Sequence, residues 1–209
     1  EENPEHIEIE VLSEIEELLS DTNDDLTSFL DKILAKTSEL IGADSGTISI
    51  YKILEGKPWL IIEDELGNLV GAKSRGWMKS KIPLMPVGGD ELPLDQRSVN
   101  GIVAHSARPV LISSIEDEQP KFYKNLSDQI RSELAVPIIY GSHVLGVINQ
   151  DSFHKFFFTS EHQKILQIIA SLISQKVNNL LQIETLKQEL LELRKDIEYR
   201  DPKVSSYHF

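Results

Sequence analysis

The sequence predicts an α+β domain: an antiparallel sheet with the N- and C-terminal helices packed on one face and short helices and loops covering the other. Three observations point to this architecture. Apolar residues recur at helical spacing up to residue 41 and again after residue 160, but alternate with a period of two in several stretches between. Two apolar runs, 133–140 and 143–151, are joined by Gly141 and Ser142 alone, which requires an antiparallel pair. The closing helical pattern extends for about forty residues, more than one small globule can cover.

Each element follows from its local pattern. Ile7, Val11, Leu12, Ile15, Leu18 and Leu19 recur at helical spacing with glutamates on the opposite side, so the first segment reads as an amphipathic helix. Residues 21–25 are a polar break that supplies an N-cap. A second helix over 26–41 buries Leu26, Phe29, Leu30, Ile33, Leu34, Thr37, Leu40 and Ile41, and Gly42 ends it. Residues 46–54 and 57–64 are rich in β-branched and aromatic types and read as strands. Residues 65–97 are rich in Gly, Pro and Lys and carry no strong periodicity. A short helix over 98–107 is capped by Ser98. A short strand covers 108–114, and residues 121–130 place Phe122, Leu126 and Ile130 on one helical face. In the hairpin, Gly141 in the leading position predicts a type II′ turn, and Pro137 predicts an edge position or a bulge. Thr159 caps the last helix. Ile165, Leu166, Ile168, Ile169, Leu172 and Ile173 form a wide apolar stripe at its start, and Ile183, Leu186, Leu190, Leu193 and Ile197 then continue at spacings of 3, 4, 3 and 4, a heptad seam. That seam either joins a second copy in a homodimer or folds back on its own domain; its regularity favours the homodimer. Pro202 ends the helix.

Composition bounds the function. The net charge of −13 is concentrated at the start: residues 1–25 contain eleven acids and no Lys or Arg, leaving −2 for the rest. Direct nucleic-acid contact is not expected of such a chain, because phosphate binding needs clustered bases. The absence of cysteine excludes disulfides, thiolate metal sites and thiol nucleophiles. No apolar run approaches a membrane span and no signal peptide is evident, so a cytoplasmic location is expected. The only methionines are Met78 and Met85, so the chain reads as a segment of a longer protein. His105, His143, His154 and His162 match no metal-binding spacing, and neither a GxGxxG nor a phosphate-binding loop occurs. No metal and no cofactor are expected. Residues 152–155 spell SxxK without a second motif, a chance match. With no nucleophile–base pair in view, no catalytic residue is assigned and the chain is expected not to be an enzyme. Lys73, Arg75, Lys79 and Lys81 form a basic stretch that either draws in an anionic ligand or is a solvated loop.

Several segments resemble the GAF family: SVNGIVAHSARPVLI (98–112), RSELAVPI (131–138), GSHVLGVINQDS (141–152) and FTSEHQKILQIIASLIS (158–174). With the helix over 26–41 the resemblance spans about residues 26–180 and implies a GAF/PAS-like sheet with a ligand between the sheet and the 70–130 segment. It divides the chain into an acidic helix (1–25), the GAF-like domain (26–180), a coiled-coil signalling helix (181–201) and the start of a linker (202–209). By resemblance to cyclic-nucleotide-binding members, Val99 and Asn100 meet the ligand through backbone groups, Tyr123 stacks or hydrogen-bonds, and Leu126 and Ile130 form a wall. The helix start at Ser98 independently offers free N–H groups to an anion. Arg97 and Arg131 flank this space, either to clamp a carboxylate or as surface ion pairs.

The family's cyclic-nucleotide signature is altered here. The stretch reads Asn149-Gln150, then Phe158 and Glu161-His162; the lysine is absent and the acidic pair is broken, which points away from cyclic nucleotides. Without cysteine, a thioether-linked bilin and the family's methionine sulfoxide reductase chemistry are also unexpected. The heptad helix followed by YRDPKVSSYHF resembles the linker into the AAA+ ATPase of sigma-N-dependent, nitrogen-regulator-type transcription activators. The expected function is therefore a small-molecule sensor that signals through a dimeric helix to an output domain. The alternative is a ligand-free dimerisation spacer of a signalling protein such as a histidine kinase.

Overall fold

Side-chain caps fix the helix ends. The computed structural model describes residues 4–64, 66–74, 84–93, 96–118 and 129–200. After α1 (Pro4–Ser20), Asp25 opens α2 (Leu26–Ile41) by accepting the backbone N–H of Ser28 at 2.8 Å. That hydrogen bond holds its carboxyl below the ordinary aspartate range. Gly42 closes α2 at φ +75°, its N–H returning to the carbonyls of Ser38 and Glu39. Ser98 caps α3 (Val99–Ser106), accepting from Gly101 N at 3.0 Å. Thr159 Oγ1 accepts from His162 N at 3.4 Å at the head of the 41-residue α5 (Ser160–Arg200). A one-turn helix, α4 (Ile115–Glu118), is not marked by any sequence periodicity.

The strands are β1 (Ser45–Leu54), β2 (Lys57–Ile61), β3 (Ala72–Lys73), β4 (Met85–Pro86), β5 (Val110–Ile112), β6 (Ser132–Tyr140) and β7 (His143–Ser152). They form one antiparallel sheet in the order β4-β2-β1-β7-β6-β5, with β3 also paired to β1. The two-residue strands β3 and β4 lie in the 65–97 stretch, which carries no periodic signal because two residues cannot display one. At the β6–β7 hairpin Gly141 takes φ +61° while Ser142 does not enter the left-handed region, the II′ pattern. Pro137 lies beyond the end of β5, which pairs only as far as Ala135, and a register shift follows between Ile138 and Ile139. Both of the expectations for that proline are met, since its missing N–H faces no partner strand there. The helix over 121–130 lies largely outside the described residues.

The strand period sorts side chains onto two faces. On the first, Ile48, Ile50, Leu134, Val136, Ile138 and Ile148 pack against Val11 and Ile15 of α1, Phe29, Leu30 and Ile33 of α2, and Leu166, Ile169 and Ile173 of α5. The second face carries a smaller apolar cluster: Leu60, Ile62, Val99, Val103, Ala104, Ile112, Ala135 and Val147. Here α3 lies close against β4: a Cβ on Gly101 would come within 2.3 Å of the Pro86 carbonyl oxygen. The architecture is the predicted α+β one, an antiparallel sheet with α1, α2 and α5 on one face and α3 on the other.

Candidate functional site

The second face is not apolar throughout. Towards the Ser132 and Ser152 ends of β6 and β7, the buried polar residues Thr47, Ser49, Glu133, Asn149 and Asp151 lie on it, beside the apolar Ile112 and Ala135. The pairings Thr47↔Asn149, Ser49↔Val147 and Glu133↔Asp151 put these side chains on one surface, because directly opposed residues share a face. Asn149 holds the centre: its Nδ2 donates to Glu133 Oε1 at 2.9 Å and to Asp151 Oδ1 at 3.4 Å. Ser45 Oγ donates to Asp151 Oδ2 at 3.4 Å. Burial, reinforced by the charge of Glu133, pushes the Asp151 carboxyl well above its ordinary range. Ser49 Oγ and Asn149 Oδ1 are buried without a hydrogen-bond partner, as is Asn100 Oδ1 in the first turn of α3. Such orphaned atoms are rare in protein interiors; Gln150 Nε2, on the opposite face of the sheet, is another. At the edge of the same surface Lys73 forms an ion pair with the buried Glu63.

The structure distributes the sequence-predicted residues unevenly. Val99 and Asn100 are buried in the first turn of α3, and Ile130 is buried just before β6. Arg97 braces the preceding loop, donating to Leu92 O at 2.8 Å and Asp90 O at 2.5 Å and pairing with Asp90 Oδ1 at 2.9 Å. Arg131 pairs with Glu116 at 3.5 Å, and Lys155 joins the same carboxylate at 2.6 Å. Tyr123 and Leu126 lie outside the described residues, as do Arg75, Lys79 and Lys81 of the basic stretch. The buried acids Glu133 and Asp151 were not among the sequence candidates. Their meeting depends on the register shift after Ile138: the two-residue hairpin alone, counted back from Tyr140↔His143, would set Glu133 opposite Gln150. No described group of three or more His, Asp or Glu residues could hold a metal ion, and no described helix is long and apolar enough to cross a membrane.

Comparison with curated protein sequences finds no match. Among solved structures, the chain is similar to a free methionine-R-sulfoxide reductase from Neisseria meningitidis in complex with its substrate (20% identity, 83% of this chain and 89% of that one, TM-score 0.64). It is similar to a GAF domain structure (20% identity, 83% and 88% covered, TM-score 0.63). It is also similar to the GAF domain of a phosphoenolpyruvate-protein phosphotransferase from Coxiella burnetii (15% identity, 88% and 99% covered, TM-score 0.61). The Neisseria enzyme corrects one expectation, that the chain is no enzyme: this architecture houses a reductase with its substrate. A search for nucleophile–base patterns along the sequence cannot decide the point, because sheet pairing alone brings groups such as Glu133 and Asp151 together. At these identities the likeness establishes the fold; the family is established by the GAF domain model, which matches residues 25–177. This chain belongs to the GAF domain family.

Proposed function

We propose that this chain is a regulatory sensor that binds a small cationic molecule on the polar half of the second sheet face and transmits its occupancy through α5. The observation that carries this reading is the contiguous strip of buried polar side chains Thr47, Ser49, Glu133, Asn149 and Asp151, with two carboxyl groups, on the sheet face that α1, α2 and α5 do not cover. Burying such groups costs stability. A ligand-free spacer has no use for them, so the strip supports binding over the spacer reading. The strip offers two carboxyl groups and the orphaned oxygens of Ser49 and Asn149, which suits a donor-rich group such as an ammonium or guanidinium. An anion, the expectation drawn from the basic stretch, would meet the acidic pair, and the described member of that stretch, Lys73, is engaged by Glu63.

Transmission follows from the strand period. Glu133, Asn149 and Asp151 face the strip, while their neighbours Leu134, Val136 and Ile148 on the same two strands form the bed of α5. A ligand that shifts β6 and β7 therefore acts directly on the helix packed against their other side. A coupling of ~1–3 kcal/mol is enough to bias an attached domain. The proposed relay continues through a homodimer of α5 seam residues to an AAA+ ATPase of the sigma-N-dependent activator type, on the strength of the linker-like YRDPKVSSYHF tail.

The test is a thermal-shift panel of amino acids, polyamines and guanidinium compounds alongside 2-oxoacids and nucleotides. A ligand at one hundred times its Kd adds about 2.7 kcal/mol of stability. A cationic compound is expected to stabilise the wild-type chain and not Asp151→Asn. Stabilisation by anions alone, or by no member of the panel, would overturn the assignment.

A further inference from the structure

Resting on the reading of α5 as a dimer helix, we propose that its exposed end pairs with a second copy as a parallel, in-register, two-stranded coiled coil, oriented by Glu189 of each copy meeting the partner's Arg194. The helix leaves its own domain early. Val177 is its last buried apolar residue, and Leu180 and Leu181 are the last to pack against the core. Residues 182–200 run on for roughly 28 Å at 1.5 Å per residue. Within them Ile183, Leu186, Leu190, Leu193 and Ile197 are 47–62% exposed. A continuous apolar stripe of this kind on a solvent-facing helix marks an interaction surface.

The identity and direction of the partner follow from the heptad positions. With Ile183 at a, the seam places Ile183, Leu190 and Ile197 at a and Leu186 and Leu193 at d. Two of the three a residues, Ile183 and Ile197, are β-branched and both d residues are leucine, a combination that favours two parallel strands. The flanking g positions are then Gln182, Glu189 and Asp196, and the e positions are Lys187 and Arg194. In a parallel pair each g residue faces the e residue five positions later on the partner. Glu189 then meets Arg194 twice, by symmetry, and Gln182 meets Lys187. In an antiparallel pair g faces g and e faces e, which with the seam fully overlapped sets Glu189 against the partner's Glu189 and Lys187 against the partner's Arg194. Charge therefore selects the parallel arrangement, which also sends both chains out of the dimer in the same direction.

The full chain contains no cysteine, so an introduced thiol reports only on itself. Leu186→Cys and Leu193→Cys are made separately, and each is checked by sedimentation under reducing conditions before oxidation. Both are expected to cross-link to themselves, since in-register d positions face each other. Glu189→Arg and Arg194→Glu are each expected to raise the dimer Kd roughly tenfold, and mixing the two variants to recover much of the loss. A dimer that cross-links only when the two cysteine variants are mixed is antiparallel; it overturns this inference and leaves the dimer reading intact. A wild-type chain that sediments as a monomer overturns both.

Discussion

Asp151 shows how a single buried residue trades stability for a site. Its carboxyl sits beside that of Glu133 with only Asn149 and Ser45 as described donors, and burial raises its pKa well above the ordinary 3.8. A raised value in the folded state means that the fold prefers the protonated acid. Its contribution to stability is complete below the unfolded-state pKa and is lost as pH rises through the higher folded-state value. Asp151→Asn removes the ionisation while keeping a polar side chain of the same shape. The variant is therefore expected to be more stable than wild type at neutral pH, by on the order of 1 kcal/mol or roughly 2–4 °C in Tm. The difference should shrink as pH falls towards 4, and calorimetry across that range checks it. A variant less stable than wild type at neutral pH would mean that the carboxylate is already well compensated. Glu133 and Asp151 were not legible as a pair in the sequence, because their alignment depends on the register shift beside Pro137.

At the scale of elements, Lys176 joins the two ends of the chain. Its Nζ on α5 donates to the carbonyls of Leu18 at 3.1 Å, Leu19 at 3.4 Å and Asp21 at 2.5 Å, where α1 ends. The same nitrogen lies 4.4 Å from the centre of the Phe29 ring on α2. A cation at a helix C-terminus satisfies carbonyls that have no partner within the helix and complements the dipole. Lys176→Met keeps most of the apolar stem and removes the charge. It is expected to cost about 1–2 kcal/mol, with the loss concentrated in α1. Hydrogen exchange should show faster opening of α1 amides while those of β6 and β7 keep their protection; uniform loss across the sheet would assign Lys176 a general core role instead. The helices themselves were readable in sequence because their caps are local: Asp25, Gly42, Ser98 and Thr159 all act within four residues of where they sit. β3, β4 and α4 were not, since elements of two to four residues have no period and exist only through what they pair with.

The whole molecule combines a self-sufficient core with a protruding helix. Every apolar residue buried in the first-face cluster lies at or before Val177, so residues after Leu181 contribute little to that core. Truncation after Leu181 is expected to leave the domain folded, with a Tm within about 3 °C of the intact chain measured at low concentration. Sedimentation should then report a monomer at concentrations where the intact chain is paired. A truncated chain that unfolds would place the stability of the domain in the dimer. One that still dimerises would move the interface to the globular body.

The sequence by itself determined the α+β class, the long helices and their caps, the II′ hairpin and the apolar seam of α5. All of these are written in spacings of two to four residues, the range over which backbone geometry acts. Tertiary structure alone decided what the second sheet face would be. The one-residue slip after Ile138 carried Asp151 opposite Glu133 and left Gln150 on the other face, where it accepts from Ser38 of α2 at 2.9 Å. A strand read alone has two equivalent faces, and only packing against neighbours chooses which one lines the core and which one is left for a ligand.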